Sequence, residues 1–392
     1  MQLYWVWLAL QSKISLPLKL QLLERFSDPE EIYHADDTAL NGICLDRDLF
    51  EAEKIINICR RKGIGILPYG ANEYPKRLRN IADPPLVLYY KGIVPTFETR
   101  PVIAVVGTRK ASAYGLNTAQ DLSCQIAQHG GLVVSGGAYG VDTKALAGAM
   151  KTDAPTVAVL GCGVDIVYPR TNRHLFDEIQ KNGCLISEYL PGTEPKPWQF
   201  PERNRIISGM SDGVLVIEAP SRSGALITAQ DALEQGRDVF VVPGSIDNPT
   251  CSGSNGLLRE GATAVFSGWD VLEQYAYQYP QTIQKSEKST ANNQTDLSDF
   301  SAFVQETKPA ADKKVVDNPA GTSYSVLENK SLKLTQQEQM LLACLDRTPR
   351  LVDDVIAQAQ LPASTVLSML TKLSLRGLVI NHPGRLVSVR KQ

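Results

Sequence analysis

The sequence predicts an α/β protein with a doubly wound parallel sheet, a small helical domain before the sheet and a winged-helix domain after it. Between residues 101 and 275 short apolar segments alternate with helical segments, as in a parallel sheet covered by helices. Helical patterns precede this region, and three helical patterns followed by a hairpin pattern close the chain. A chain of 392 residues also exceeds the roughly 100 to 200 residues of one domain, so two or three domains are expected.

Residues 1–70 form the predicted N-terminal helical domain. Apolar side chains recur there three or four positions apart, the interval that places them on one face of a helix. Two such stripes are Leu18, Leu22 and Phe26, and then Ala52, Ile55, Ile56 and Cys59.

Residues 71–279 form the predicted sheet domain. Six short segments are predominantly apolar on both faces, as strands buried between two layers of helices are. They lie at 102–106, 132–135, 156–160, 185–188, 214–217 and 238–242. Their alternation with helical segments predicts the doubly wound class.

Residues 280–331 are rich in polar side chains and poor in apolar ones, which predicts a flexible linker. The winged-helix domain is predicted over residues 332–392, with helices at 334–345, 352–358 and 362–376 and a hairpin across His382-Pro383-Gly384. Eight Lys or Arg against four acidic residues give residues 332–391 a net charge of +4. The domain therefore binds DNA or docks a protein, and the sequence leaves both open.

The whole chain has a formal net charge of -2, so a nucleic-acid binder of this composition must concentrate its positive charge locally. No stretch approaches the roughly 20 apolar residues of a membrane span, and the apolar start lacks a basic segment and a cleavage site. A cytoplasmic protein without membrane contact is expected. The seven cysteines lack CxxC spacing and do not pair with the four histidines at ligand intervals, so neither a metal nor a cofactor is predicted.

Four glycine- or arginine-bearing loops are the candidate functional motifs. Three follow predicted strands, and the fourth, at residues 201–207, is expected just ahead of a helix. The candidate residues are Gly107, Thr108 and Arg109; Ser135, Gly136, Gly137, Tyr139 and Gly140; Arg203, Asn204 and Arg205; and Ser223 and Gly224.

These residue types suit an anionic ligand. Backbone N–H groups at a strand-to-helix turn bind anions, glycines let a ligand approach the backbone, and a guanidinium grips phosphate with two hydrogen bonds. Asn204 could contact a base edge or hold its loop, Arg203 or Arg205 could instead close an internal salt bridge, and Tyr139 offers a stacking surface. Loops after parallel strands gather at the carboxyl edge of the sheet, where open α/β folds bind ligands.

No catalytic residues are predicted. None of the four histidines falls in these motifs, so a nucleophile has no evident base. The carboxylates Asp142, Asp165, Glu188 and Glu218 lack a paired spacing, which favours helix capping or salt bridging. A Walker A motif is absent, which argues against ATP-driven work.

These motifs together resemble the DprA/Smf family. The resemblance rests on Gly107-Thr108-Arg109, Ser135-Gly136-x-Ala138-x-Gly140-Val141-Asp142, residues 158–163 with Tyr168-Pro169 and Asn172, Phe200-Pro201-x-Arg203-Asn204-Arg205-Ile206-Ile207, residues 223–229, and Gly236-Arg237-Asp238-Val239-Phe240 with Pro243-Gly244. It implies an extended Rossmann domain that binds single-stranded DNA, acts as a homodimer and loads the recombinase RecA during natural transformation. It also implies a SAM-like N-terminal domain, and a DNA pocket that adds Arg170 and Arg173 to the loops above.

Two positions depart from the family pattern. Tyr139 stands where many relatives have Arg or Lys, so the chain either exchanges a phosphate contact for stacking or binds more weakly. Leu146 stands where relatives often have His, which puts any role of that histidine in doubt. Two other functions stay open: a nucleotide-processing enzyme like the phosphoribohydrolases of the lysine-decarboxylase-like group, and a winged-helix transcription regulator with a ligand-sensing core.

Overall fold

The computed structural model describes residues 2–283, 340–342, 344–345, 350–359, 363–375, 378–382 and 386–389. The chain divides into two units, Met1–Asn292 and Asn293–Gln392, which are described separately below.

Four helices form the N-terminal region, as the apolar periodicity predicts. They are α1 (Gln2–Leu10), α2 (Leu16–Phe26), α3 (Pro29–His34) and α4 (Phe50–Lys62). Asp28 caps α3 by accepting a hydrogen bond from the backbone N–H of Glu30 at 2.7 Å, and Gly63, in the left-handed region, caps the C-terminal end of α4. The buried side chains of these helices share one hydrophobic cluster with the adjacent end of the sheet.

Within residues 2–283 the structure contains one nine-stranded sheet. Its strands are β1 (Gly65–Pro68), β2 (Val87–Gly92), β3 (Val102–Val106), β4 (Leu132–Ser135), β5 (Thr156–Val159), β6 (Cys184–Ser187), β7 (Gly213–Val216), β8 (Asp238–Val241) and β9 (Thr263–Ala264). Their order is β1-β2-β6-β5-β4-β3-β7-β8-β9. The seven strands from β6 to β9 are parallel, and β1 and β2 add an antiparallel edge.

The doubly wound class is confirmed, and all six predicted strands are present to within one residue at each end. Strands β1, β2 and β9 were not predicted from the sequence. Strand β1 lies inside the region predicted as helical up to residue 70, where the chain has already joined the sheet.

Helices cover both faces of the sheet. They are α5 (Lys76–Arg79), α6 (Ala113–Gln128), α7 (Val141–Ala149), α8 (Arg173–Asn182), α9 (Gln199–Gly209), α10 (Gly224–Glu234), α11 (Ser252–Arg259) and α12 (Gly268–Leu272). The alternation along β3 shows the two layers: Val102, Ala104 and Val106 pack with α9 and α10, whereas Ile103 and Val105 pack with α6 and α7. Residues 280–283, predicted to begin the linker, pack on the second layer through Ile283; residues 284–331 lie outside the described residues.

The second unit contains two of the three predicted helices, both strands of the predicted hairpin and one further short strand. These are β10 (Arg350–Leu351), α13 (Val352–Ala359), α14 (Ala363–Leu375), β11 (Val379–His382) and β12 (Leu386–Val389), with an antiparallel sheet in the order β10-β12-β11. The sequence pattern did not predict β10. Residues 334–339 of the first predicted helix, and the hairpin turn at 383–385, lie outside the described residues.

Among the described helices, none is both long and apolar enough to cross a membrane.

Candidate nucleic-acid interface

The candidate site is a cavity of about 400 Å³ at the carboxyl ends of β3 and β7. The chain runs from β3 to β4, β5 and β6 on one side and then crosses to β7 on the other, so this is the point where strand order reverses. Open α/β sheets leave a ligand crevice at such a point. Four chain segments line the cavity: residues 106–110, Ala138 with Asp142, residues 197–207 in part, and residues 220–228 in part.

Arg203 forms the floor of this cavity. Its side chain is buried, and its Nη1 donates hydrogen bonds to the carbonyl oxygens of Gly136, at 2.7 Å, and Val159. Asp142 is buried beside it and accepts a hydrogen bond from the backbone N–H of Ala138. Burial raises the pKa of Asp142, and the positive charge of Arg203 opposes that rise. Arg203 therefore joins the glycine loop, residues 136–140, to the end of β5, and its positive charge compensates the negative charge of the buried Asp142 carboxylate.

The glycines of the second motif allow protein segments to pack closely. A Cβ on Gly136 would lie 2.6 Å from Nη2 of Arg203 and 2.7 Å from Oδ2 of Asp142. Gly140 has a φ of +78°, and a Cβ there would lie 2.5 Å from the carbonyl oxygen of Thr108. Protein atoms occupy the positions of a side chain at both residues, so packing within the protein requires glycine there, and a contact of these glycines with a ligand stays a prediction. A Cβ on Gly224, in contrast, would have no neighbour within 4 Å.

Arg109 and Phe200 form the exposed rim of the cavity. The guanidinium carbon of Arg109 lies 5.1 Å from the ring centroid of Phe200, within cation–π range. The ring of Tyr168 lies 5.4 Å from Phe200 on a surface that also exposes part of Tyr168. Lys110 and Arg222 are exposed and line the same cavity. Phe200 and Tyr168 were not predicted as site residues, although both belong to the family motifs Phe200-Pro201 and Tyr168-Pro169.

Asn204, Ser223 and Gly224 shape the opposite wall. The amide Nδ2 of Asn204 donates to the carbonyl oxygen of Gly224 at 3.1 Å. Ser223 caps α10 by accepting a hydrogen bond from the backbone N–H of Ala225. Asn204, which lies inside a helix, thus holds the neighbouring loop at Gly224, and a contact of Asn204 with a base edge stays a prediction.

Arg205 points away from the cavity. It forms ion pairs with Asp83 at 2.9 Å and with Glu188 at 2.7 Å. The expectation that residues 201–207 lie ahead of a helix is wrong, because they lie inside α9. Two residues along a helix are about 200° apart around its axis, so Arg203 and Arg205 cannot face one cavity together.

The remaining candidate residues lie next to the cavity but outside its lining. Ser135 is buried and donates to the carbonyl oxygen of Val105. Nδ2 of Asn172 donates a hydrogen bond to the carbonyl oxygen of Gly137 at 3.0 Å, and this bond links the glycine loop to residues 170–173. Tyr139, Arg170 and Arg173 are among the exposed side chains around this link. Leu146 is fully buried in the core.

The four candidate carboxylates all make protein contacts. Asp142 was described above, Asp165 pairs with Lys62, and Glu188 pairs with Arg205. Glu218 is fully buried and accepts hydrogen bonds from the backbone and hydroxyl of Ser112 and from the hydroxyl of Thr250. In the part of the chain that the structure describes, no group of three or more His, Cys, Asp or Glu side chains could hold a metal ion, and the cysteines are free.

Comparison with known proteins identifies the family. The sequence model of DNA recombination-mediator protein A matches residues 65–276, more than half of the chain. The chain belongs to this family. A second model, the DprA winged helix domain, matches residues 328–385 and supports the fold of the second unit.

Two relatives show how far the similarity extends. DNA processing protein DprA of Bacillus subtilis is 41% identical over 221 residues, which is 56% of this chain and 74% of the relative. DNA processing protein DprA of Streptococcus pneumoniae is 43% identical over 204 residues, 52% of this chain and 72% of the relative.

Two solved structures of the family share the fold. The X-ray structure of DprA from Streptococcus pneumoniae has a TM-score of 0.60 and 34% identity, and the match covers 70% of this chain and 98% of that one. A structure of DNA processing protein A from Helicobacter pylori has a TM-score of 0.50 and 30% identity, covering 55% of this chain and 97% of that one. The latter is described as giving insight into the unique single-stranded DNA binding mode of that protein.

Proposed function

We propose that this chain is a non-enzymatic recombination mediator that binds single-stranded DNA at the carboxyl edge of its sheet. In this proposal it protects incoming DNA and loads RecA onto it during natural transformation. The observation that carries the proposal is the exposed guanidinium of Arg109 against the ring of Phe200, at the mouth of a cavity at the strand-order reversal. The family description and the single-strand binding described for the Helicobacter pylori relative support the same ligand.

The chemistry of this rim suits a single strand better than a duplex. Base faces are exposed in single strands, and stacking on an aromatic ring contributes about 1 to 3 kcal/mol per base without reading its identity. Arg109, Lys110 and Arg222 are exposed around the ring and can contact phosphates. A chain with a net charge of -2 thus gathers positive charge where a strand would lie.

The neighbouring arginines extend this surface. Arg170 and Arg173 are exposed beside the glycine loop, to which Asn172 ties their segment. We propose that they contact the strand outside the cavity, with Tyr139 beside them. Arg203 would then act without touching the strand, by holding the glycine loop in place through its hydrogen bond to Gly136.

Several finer statements stay predictions. These are the homodimer through the Rossmann domain, the contact with RecA, the cytoplasmic location, the SAM-like domain boundary at residue 70, and the choice between DNA and protein for the winged helix. The nucleotide-processing alternative gains no support from Glu218, because that carboxylate is fully buried and already accepts three hydrogen bonds.

A mobility-shift assay with a single strand and a duplex of the same sequence tests the proposed function. We expect tight binding of the single strand that weakens steeply with salt, and faster RecA filament formation when the protein is present. Equal or tighter binding of the duplex would contradict the proposal and favour a transcription regulator. Single-strand binding without an effect on RecA would retain the DNA site and remove the mediator role.

A further inference from the structure

A buried carboxylate lies at the same edge of the sheet as the proposed DNA site. Glu218 comes two residues after the end of β7, and its side chain is fully buried. A negative charge at this edge opposes the binding of a phosphate backbone. The residues that line the cavity do not include Glu218, so its role at this edge comes through the residues that it holds.

Glu218 holds both ends of the loop that carries Arg109 and Lys110. At the start of this loop, the backbone N–H of Thr108 donates to the carbonyl oxygen of Glu218 at 2.7 Å. At its end, the backbone N–H of Ser112 donates to Oε2 of Glu218 at 2.9 Å, and the hydroxyl of Ser112 donates to Oε1 at 2.5 Å. Within the loop, the backbone N–H of Lys110 donates to Oγ1 of Thr108 at 3.2 Å. One residue thereby restricts the conformation of residues 108–112 from both sides.

The segment that carries Arg222 is connected to the same residue. Arg222 is exposed, lines the cavity and follows Glu218 by four positions. The hydroxyl of Thr250, just ahead of α11, donates to Oε2 of Glu218 at 3.0 Å. The backbone N–H of Gly253, inside α11, donates to the carbonyl oxygen of Ala219 at 2.8 Å. Both loops that bring cations to the cavity are therefore joined at Glu218 and the residue after it.

The first turn of α6 accommodates the buried carboxylate. Ser112 caps this helix by accepting a hydrogen bond from the backbone N–H of Gly115 at 3.1 Å. A Cβ on Gly115 would lie 2.5 Å from the carboxyl carbon of Glu218, so the carboxylate packs directly against this turn. The N-terminus of a helix favours a negative charge, and the three hydrogen bonds replace those that water would make.

We propose that Glu218 is a positioning residue for single-strand binding, which holds residues 108–112 in the conformation that places Arg109 and Lys110 at the cavity. This inference rests on the proposed function and explains why an acidic side chain lies at an edge that binds a polyanion. Without Glu218 the two cations are still present, but the loop must be ordered when the strand binds, and that ordering lowers the affinity.

The sign of the effect separates positioning from charge. Glu218→Ala removes a negative charge, which by itself would tighten the binding of DNA. Loss of positioning has the opposite effect, and we expect the affinity for a single strand of about 12 nucleotides to fall about 5- to 30-fold. Equal or tighter binding by Glu218→Ala would overturn the proposal.

Glu218→Gln tests positioning at constant charge. Its amide oxygen still accepts from the backbone N–H of Ser112, and its amide nitrogen can donate to the hydroxyls of Ser112 and Thr250. Glu218→Gln should therefore recover most of the affinity that Glu218→Ala loses. Equal affinities of these two variants would count against a positioning role.

A double-mutant cycle shows whether Glu218 acts through the cations of the loop. In a protein that already carries Arg109→Ala and Lys110→Ala, the further change Glu218→Ala should weaken single-strand binding by less than about threefold, because the side chains that it positions are gone. The same fold loss in this background as in the wild-type protein would show that Glu218 acts independently of the loop and would overturn the proposal.

Asp212→Ala is the matched control for general destabilisation. Asp212 lies at the opposite end of β7 from Glu218, and its carboxylate accepts from the backbone N–H of Val102 at 2.8 Å and pairs with Arg77. Its loss should destabilise the first unit and leave single-strand affinity within about twofold, measured where circular dichroism shows every variant folded. An equal loss of affinity in Asp212→Ala and Glu218→Ala would overturn the positioning role.

Ser112→Ala keeps the test decisive if Glu218→Ala does not fold. It removes one donor to Glu218 and retains the carboxylate. We expect about a 3- to 10-fold loss of single-strand affinity in Ser112→Ala, and unchanged affinity would overturn the proposal.

The outcomes separate the two proposals. If the wild-type protein binds no single strand, the proposed function fails and this inference fails with it. If the wild-type protein binds the strand and Arg109→Ala weakens binding, but Glu218→Ala does not, only the positioning role is overturned.

Discussion

The substitution Arg203→Met should destabilise the first unit strongly, because Arg203 is the buried positive charge beside Asp142. The change removes the donor to the carbonyl oxygens of Gly136 and Val159 and leaves the carboxylate of Asp142 without its compensating charge. Leaving a buried acceptor without its donor costs about 1 to 3 kcal/mol for each of the two carbonyl oxygens, and the loss of charge compensation at Asp142 adds to this cost. We therefore expect the free energy of unfolding to fall by about 4 kcal/mol near neutral pH, a large part of the roughly 5 to 15 kcal/mol of an ordinary domain.

The pH dependence of this effect has a definite sign. Burial already raises the pKa of Asp142 above its ordinary value of 3.8, and removal of Arg203 takes away the charge that opposes the rise. When a carboxyl group has a higher pKa in the folded protein than in the unfolded chain, the folded protein loses stability as the pH rises above the pKa of the unfolded chain. At pH values where the group is protonated in both states, it costs the folded protein nothing. The difference between wild type and Arg203→Met should therefore be largest near pH 7 and shrink as the pH falls towards about 4.

Urea unfolding followed by tryptophan fluorescence measures this quantity. All four tryptophans lie within residues 1–292, so their emission reports on the first unit alone. The control measures the cost of Arg203→Met in an Asp142→Asn background, where it should be the same near pH 7 and near pH 4 because the titrating carboxyl group is absent. A cost below about 1 kcal/mol for Arg203→Met near pH 7, or a cost that is the same at both pH values, would refute the reasoning.

Two further predictions concern side chains outside the rim. Glu218→Ala should lower the free energy of unfolding by about 2 to 4 kcal/mol, because it leaves the hydroxyls of Ser112 and Thr250 without their buried acceptor. We expect the wild-type protein to release no free base from AMP; release that Glu218→Ala abolishes would instead support a nucleotide-processing enzyme. Arg205→Ala should lower the free energy of unfolding by about 1 to 3 kcal/mol through loss of the Glu188 and Asp83 pairs. Its single-strand affinity should stay within about threefold of wild type, and a loss above about tenfold would place Arg205 at the interface.

The parallel strands were predictable because burial on both faces leaves a continuous apolar run in the sequence. β3 to β7 are buried along their whole length, and each appears as such a run. β1 and β2 are antiparallel strands at the edge of the sheet with partly exposed residues, and β9 has two exposed residues, so none of the three produces that pattern.

The location of the site was predictable and its contacts were not. Parallel strands bring the Gly107 and Ser223 loops to one edge wherever they lie in the sequence, and the structure places both at the cavity. The direction of Arg203 and Arg205 depends on where α9 begins, and it begins at Gln199, earlier than the sequence predicts. The role of Phe200 could not be predicted, because its partner Arg109 lies 91 positions away in sequence. Only the structure shows that the guanidinium of Arg109 lies over the ring of Phe200.

The most direct test of the edge as the DNA site compares Arg109→Ala with Arg25→Ala in single-strand binding at several salt concentrations. Arg25 is an exposed arginine whose guanidinium lies 5.1 Å from the ring of Phe26, the same distance as Arg109 from Phe200, but it belongs to α2. We expect Arg109→Ala to weaken single-strand binding about 10-fold or more and to lower the salt slope by about one, and Arg25→Ala to match wild type. Unchanged affinity of Arg109→Ala at physiological salt, or an equal loss in both variants, would contradict the placement of the strand at this edge.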